Sequence, residues 1–323
     1  MKTATAFAFV TLAICRASTV SAVTIDMVTV GNAGNAPDTR YDFNLIGFGS
    51  VGYEYQIGKY EVTADQYTEF LNAVAKAEPK RLYNTSMADP VGALGANIQR
   101  TGSSPNYSYS VAADWANRPV NWVSFWDAAR FANWLHNGQP TGPQGPGTTE
   151  SGAYHDVGNQ TLFGRNPGAR YFIPTEDEWY KAAYHDKAAG LAATYFDFPT
   201  GTSDVPNNAN YAINGHYIFG SPYYRTEVGA FTNAASPYGT FDQGGNVEEW
   251  NEKVFSSTLR SVRGGSFDSY SDNLFASNSD GKNPEFEYRY YGFRVASSGI
   301  PEPGNFTLCV FGVMIFALRS RKR

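Results

Sequence analysis

Apolar positions recur at helical spacing in three segments of this chain, and a residue able to cap a helix precedes each of them. Thr63 and Ser124 supply hydroxyl caps before the first two segments, and Thr175–Glu178 forms a capping box before the third. The second segment ends at Asn137–Gly138, a pair typical of helix ends. The predicted helices run from Ala64 to about Ala75, from Ser124 to Asn137–Gly138, and from Thr175 to about Tyr184.

Strand signals are short and scattered. Residues 53–57 alternate as a half-buried strand does, and residues 171–173 form a short apolar run. Three stretches rich in Gly, Pro and Asn show no period, which predicts long loops. These stretches are 77–118, 139–152 and 186–240, and short ordered segments are expected at 246–250, 261–267 and 290–296. Aromatic residues make up 15% of the chain, which also has 32 glycines, so the pattern favours a loop-rich α+β domain over a helix bundle or doubly wound sheet.

The N-terminal end is typical of a secretory signal peptide. Lys2 precedes an apolar run over 4–14, and Val20-Ser21-Ala22 offers the small residues that a signal peptidase recognises. These features predict a signal peptide over 1–22, cleaved after Ala22. A buried N-terminal helix is the alternative.

The C-terminal end carries a second targeting pattern. Pro301-Glu302-Pro303 precedes a 13-residue apolar run over 306–318, and a basic tail follows. The run is shorter than the roughly 17–25 residues of a spanning helix. The arrangement resembles the PEP-CTERM sorting signal, which implies processing by an exosortase. We therefore predict a domain over 23–297 and a sorting tail over 298–323, with a plain membrane anchor as the alternative for the tail.

Both cysteines, Cys15 and Cys309, lie in these terminal segments, so the predicted domain must fold without a disulfide. The net charge of the whole chain is -5. Removing the charged residues of 1–22 and 298–323 leaves 19 basic and 29 acidic residues, a net charge of about -10. An acidic domain of this kind argues against nucleic acid as a partner and is compatible with divalent cations.

Six stretches, in order, resemble the formylglycine-generating-enzyme family, also called the sulfatase-modifying factor family. They are Gly58-Lys59-Tyr60-Glu61-Val62-Thr63, Arg118-Pro119-Val120-Asn121-Trp122-Val123-Ser124, Pro174-Thr175-Glu176-Asp177-Glu178-Trp179, Gly244-Gly245-Asn246-Val247-Glu248-Glu249-Trp250, Arg263-Gly264-Gly265-Ser266-Phe267 and Gly292-Phe293-Arg294-Val295-Ala296. The resemblance implies a single α+β domain of the C-type-lectin-like kind with little regular structure. Within these motifs, Asn121, Trp122 and Arg294 are interpreted as core residues, because a buried arginine needs carboxylate or carbonyl partners.

Active members of the family hold copper(I) with two cysteines shortly after the Gly-Gly-Ser motif. The matching stretch here, 267–279, has no cysteine, and soft copper(I) requires thiolate. The resemblance therefore implies no copper site and no catalytic residue. A sister branch binds non-haem iron through histidines, but His136, His155, His185 and His216 do not lie at helical ligand spacing.

The resemblance also implies a structural calcium ion in the turn before the Gly-Asn motif. Asp242 and Glu249 would supply side-chain oxygens, and Gly245 and Val247 would supply backbone carbonyls. Such an all-oxygen set suits calcium, which takes six to eight ligands. The alternative is that the two carboxylates only cap turns in a metal-free loop.

A second family calcium site would begin at Asn210 and the Tyr211 carbonyl, with its other ligands in the 214–229 loop. We hypothesise that the chain is an exported, non-catalytic module that binds a glycan or protein ligand at the outer surface, in the periplasm or in the extracellular matrix. The signal peptidase and an exosortase would be its export partners. An enzyme with a different active site, or a sulfatase accessory factor, is the alternative.

Overall fold

The computed structural model describes residues 22–41 and 47–299. The predicted signal peptide, apart from Ala22, and the sorting tail beyond Gly299 lie outside the described residues. Four helices are present in the described part: α1 Ala64–Val74, α2 Ala113–Ala116, α3 Phe125–His136 and α4 Glu176–Tyr184. The three predicted helices are thus confirmed as α1, α3 and α4. Among the described residues, no helix is long and apolar enough to cross a membrane.

Each confirmed helix begins with a complete capping box. The hydroxyls of Thr63, Ser124 and Thr175 accept from the backbone N–H three residues on, and the side chain at that position accepts from the cap N–H in return. A cap of this kind stabilises a helix by about 1 kcal/mol. These signals are local in sequence, which explains why pattern alone located these helices.

Fourteen strands are present in the described residues, and most are very short. They are β1 Met27–Val30, β2 Tyr55–Gly58, β3 Ile98–Thr101, β4 Ser108–Val111, β5 Tyr154–His155, β6 Gly164–Arg165, β7 Tyr171–Phe172, β8 Ala212–Ile213, β9 His216–Tyr217, β10 Glu248–Ser256, β11 Leu259–Arg263, β12 Asp280–Lys282, β13 Tyr291–Gly292 and β14 Ala296–Ser297. This mixture of few helices and many short strands confirms the predicted α+β class.

Two four-stranded sheets organise the domain. In the first, the order is β1-β2-β14-β7 and every pair is antiparallel, so that Ala296 lies between Ile57 and Phe172. In the second, the order is β12-β11-β10-β13, with β13 parallel to β10. The first sheet therefore brings residues 296–297 against segments that lie far earlier in the sequence, whereas the second sheet is built from residues 248–292 alone.

The largest part of the core fills the space around α1 and α3. The ring of Phe131 lies 5.3 Å from those of Phe70 and Phe293 and 5.7 Å from that of Trp134. All four side chains are buried. Edge-to-face contacts between rings at such distances add to the stabilisation from apolar burial.

The prediction of one long loop over 77–118 was wrong. This stretch holds the β3–β4 hairpin and α2, and the side chains of Leu82, Met87 and Ile98 are fully buried. Its apolar residues are isolated, so no period marked them. Residues 139–152 contain no helix or strand, and 186–240 contain only the short strands β8 and β9 and a 3-10 turn at Lys187–Ala189.

Candidate functional site

The turn that leads into β10 is held in a left-handed backbone conformation. Asp242, Gly245 and Asn246 have φ values of 59°, 92° and 57°. A Cβ on Gly245 would lie 2.8 Å from the carbonyl carbon of Asn210 and closer still to its oxygen, so glycine alone allows this approach. The Asn246 N–H donates to the Asn210 carbonyl oxygen at 2.9 Å. The structure thus joins Asn210 and Gly245, which the sequence had assigned to two separate sites.

The side-chain amides of Asn210 and Asn246 tie the turn to the 224–226 segment. Asn246 Oδ1 accepts from Asn210 Nδ2 at 2.8 Å and from the backbone and hydroxyl of Thr226 at 3.0 and 3.1 Å. Asn210 Nδ2 also donates to the Tyr224 carbonyl at 2.9 Å. The remaining amide oxygen, Asn210 Oδ1, is buried and has no hydrogen-bond partner among the residues that the structure describes. A bound cation would give this oxygen the partner that it lacks.

Glu249 lies in a fully buried ion pair rather than in an open loop. Arg294 Nε and Nη2 donate to the two Glu249 oxygens, each at 2.6 Å, and Trp179 Nε1 donates to Oε2 at 2.7 Å. Arg294 also donates to the carbonyls of Gly58 and Phe241, both at 2.9 Å. The interpretation of Arg294 as a core residue is confirmed.

The other two motif residues interpreted as core differ from each other. Asn121 is buried, and its amide donates to the carbonyls of Leu94 and Arg289 at 2.8 Å. Trp122 is half-buried, with its indole N–H donating to the Ala93 carbonyl at 2.9 Å. Asn121 therefore has the predicted structural role, whereas one side of Trp122 reaches the surface.

The stretch after the Gly-Gly-Ser motif presents oxygen groups at the surface. Phe267 is buried, and Asp268 is half-exposed. The Tyr290 hydroxyl donates to Asp268 Oδ2 at 2.5 Å, and Arg289 Nη2 lies 3.6 Å from the same oxygen. This position therefore carries a carboxylate and a guanidinium instead of two thiols.

A group of half-buried and exposed rings, the aromatic surface, surrounds that carboxylate. Its members are Trp122, Tyr217, Tyr224, Tyr288 and Tyr290, with Phe267 beneath them. Neighbouring ring centroids are 5.1 to 5.9 Å apart. The Arg289 guanidinium lies 4.8 Å from the centre of the Tyr290 ring and 5.6 Å from that of Tyr288. Tyr217 and Tyr288 are 41% and 42% exposed, so a ligand can reach their faces.

Sequence analysis missed this surface because its rings come from four separate segments. The one local signal was the run Tyr288-Arg289-Tyr290-Tyr291. Two of those tyrosines reach the surface, and Tyr291 is buried. Aromatic residues elsewhere in the chain are mostly core, so composition did not distinguish the two roles.

Comparison with known proteins identifies the family. The sequence model of the sulfatase-modifying factor enzyme 1-like domain matches residues 50–298. The chain belongs to this family. Two solved structures share the fold of this sulfatase-modifying factor domain: CarF, at 21% identity and a TM-score of 0.55, covering 85% of this chain and 98% of that one, and Treponema denticola variable protein 1, at 20% identity and a TM-score of 0.53, covering 87% and 97%. No curated protein matches the chain.

In this sulfatase-modifying factor domain, the side chains that the resemblance implied as calcium ligands also take part in hydrogen bonds. Both Glu249 oxygens accept from Arg294, and Oε1, with that one donor among the described residues, keeps a lone pair that a cation can use. Asp242 is buried, which raises its pKa to about 6, and its Oδ2 accepts from the Gly229 N–H at 2.5 Å. No three described His, Cys, Asp or Glu side chains converge closely enough to hold one metal ion. Calcium therefore stays a prediction for both implied sites, one with Asp242, Gly245, Val247 and Glu249 and the other with Asn210 and Tyr211.

Calcium binding can be tested without disturbing the ion pair. We expect millimolar calcium to raise the melting temperature of metal-free protein, and Asp242→Asn to shrink that rise, because a ligand that binds only the folded state adds about 2.7 kcal/mol at a hundredfold excess over Kd. Asp204→Asn, at an exposed aspartate, is the control. Identical melting curves in calcium and in excess chelator would remove the ion from this loop.

Proposed function

We propose that this sulfatase-modifying factor domain is a non-catalytic module that binds an extracellular polysaccharide on the aromatic surface. The observation that carries the proposal is the pair of exposed rings, Tyr217 and Tyr288, beside the Arg289–Asp268 pair. Sugar rings have apolar C–H faces that stack on aromatic side chains, and polar edges that need donors and acceptors. A surface with both kinds of group close together matches that chemistry.

The non-catalytic part of the proposal rests on chemistry that the chain lacks. Copper(I) catalysis in the family needs two thiolates after the Gly-Gly-Ser motif, and residues 267–279 include no cysteine. Asp268 Oδ2 is already bonded to the Tyr290 hydroxyl. A position at the cell surface or in exopolysaccharide is proposed from the two terminal targeting patterns.

The direct test measures binding of the purified chain to an array of alginate, xanthan, cellulose and dextran. Tyr288→Ala should weaken binding to the retained polymer about tenfold, a change of 1.4 kcal/mol, because a stacked ring at the centre of an interface contributes at least this much. Phe255→Ala is the matched control, since Phe255 is 44% exposed and lies near the far end of β10. Equal losses in both variants, or retention of no polymer, would overturn the proposal.

A second assay tests catalysis itself. The protein is incubated with copper, oxygen and a cysteine peptide of the sulfatase type, and aldehyde is quantified against a protein-free control. We expect no aldehyde above the control. Aldehyde formation would show that the domain is an enzyme and that its active site lies outside residues 267–279.

A further inference from the structure

The arginine pocket, a cavity of about 410 Å³, is formed by Arg118, just beyond α2, and by the chain that follows β9. Its lining consists of Arg118, Phe219, residues 226–230 and Thr232. A cavity of this volume is within the roughly 300–1,000 Å³ that small-molecule sites occupy. No residue of the aromatic surface lines it, although Tyr217 and Tyr224 of that surface come from the same loop as Phe219.

Arg118 supplies the positive charge of this pocket. It is 6% exposed, and its guanidinium lies 3.8 Å from the centre of the Tyr223 ring. Nε donates to the Asp114 carbonyl at 3.0 Å, and Nη1 donates to the Arg225 carbonyl at 2.5 Å. A guanidinium has five N–H groups, so three of them, including both on Nη2, have no hydrogen-bond partner among the described residues.

The guanidinium of Arg225 adds a second positive charge behind the first. Arg225 is 0% exposed and does not line the pocket; it donates to the carbonyls of Leu94 and Gly95, and its Nε has no partner among the described residues. Burial lowers the pKa of both arginines, and the charge of Arg118 lowers the pKa of Arg225 further. The two charges therefore stand close together in a desolvated place.

Nearby acidic side chains do not neutralise this charge closely. Asp114 and Glu227 act on Arg118 through their charges, but neither forms an ion pair with it among the described residues, and both are exposed. Exposed carboxylates at longer range are screened by water and contribute little. A buried cation without a close counter-charge is unfavourable, so an anion that entered the pocket would offset that cost.

We propose that the arginine pocket binds the carboxylate of a uronic acid residue. This inference rests on the proposed function, since it takes the ligand to be a polysaccharide, and it adds that the polysaccharide is acidic. The planar fork of a guanidinium matches the two oxygens of a carboxylate. In a uronic acid the carboxylate is attached directly to the sugar ring, so one small pocket can take both.

The remaining lining suits a sugar with a single negative charge. Phe219, Val228 and Ala230 offer apolar surface to the C–H groups of the ring. Glu227 lines the same pocket, and its charge opposes an anionic ligand. A carboxylate with one charge meets less of that opposition than a phosphate with two.

The test compares alginate oligosaccharide with the same oligosaccharide after its carboxylates have been reduced to primary alcohols. Isothermal titration calorimetry of the purified chain, at low ionic strength, measures both affinities. Alginate should bind at least about tenfold more tightly than its reduced form, because each charge-assisted hydrogen bond is strong. Arg118→Gln should abolish that difference.

A second variant keeps the proposal testable if Arg118→Gln fails to fold. Glu227→Gln, at an exposed position, should strengthen alginate binding about two- to threefold at low ionic strength and leave binding of the reduced form unchanged. Glu54→Gln makes the same charge change at an exposed residue outside the pocket and should alter neither affinity.

The outcomes separate this pocket from the aromatic surface. Equal affinity for alginate and its reduced form, with both weakened by Tyr288→Ala, overturns the arginine pocket and leaves the aromatic surface in place. A preference for alginate that depends on Arg118 but not on Tyr288 supports the pocket and overturns the aromatic surface. Tighter binding of dextran sulfate than of alginate, or equal effects of Glu227→Gln and Glu54→Gln, also overturns the carboxylate site.

Discussion

Replacing Arg294 with methionine should lower the free energy of unfolding by about 3–5 kcal/mol, because the substitution leaves a buried carboxylate without its counter-charge. Glu249 is 0% exposed, and after the change only the Trp179 indole would still donate to it. The carbonyls of Gly58 and Phe241 would lose their donor as well. Urea unfolding followed by circular dichroism measures the loss directly.

Two further variants show whether the buried charge is the cause. The double variant Arg294→Met with Glu249→Leu removes both charges of the pair, so part of the lost stability should return; Glu61 and Asp242, which also interact with the Arg294 charge, remain. Lys282→Met removes the partner of Asp280, which is 59% exposed, and should cost less than about 1 kcal/mol. A loss for Arg294→Met as small as that of Lys282→Met would mean that the pair does not stabilise the core.

Gly245→Ala should destabilise the domain by about 3 kcal/mol or more, since it combines backbone strain with overpacking. The residue has a φ of 92°, where a Cβ is unfavourable. The added Cβ would also press against the Asn210 backbone, a neighbour that cannot rotate away as a side chain can. The bridge between Asn210 and the turn before β10 would have to open.

Gly215→Ala separates these two contributions. Gly215 has a similar φ of 78°, but nothing lies within 4 Å of the position of its Cβ. It should therefore show the strain alone, about 1–2 kcal/mol. If both alanine variants unfolded at the same urea concentration, the close approach to Asn210 would not contribute to the destabilisation by Gly245→Ala.

The sequence predicted those elements whose causes are local. Caps and apolar spacing located α1, α3 and α4 to within a residue or two, because both signals lie within one helix. Of the nine-residue strand β10, the sequence predicted only an ordered segment at 246–250. Two of the buried residues of this strand, Glu249 and Asn251, are polar and so gave no sign of burial. Their partners, Arg294 and Ser261, lie elsewhere in the chain, and a polar residue whose partner is distant gives no sign of burial.

Sequence analysis missed the candidate site for the same reason, because its residues are distant from one another in the chain. Six ordered motifs resembled the family, and the match over 50–298 bears that out. The aromatic surface combines rings that are separated by more than a hundred residues. Only the folded arrangement shows which tyrosines face solvent.

The position of β14 has a consequence for how the domain acquires its structure. Its residues 296–297 pair with β2 on one side and with β7 on the other, so the first sheet cannot close before these residues have been synthesised. Contacts between residues so distant in sequence form late and slowly, because a long loop must be closed before they are made. The first sheet therefore forms only after these residues have left the ribosome, and a chain without that sheet suits the export proposed for this protein.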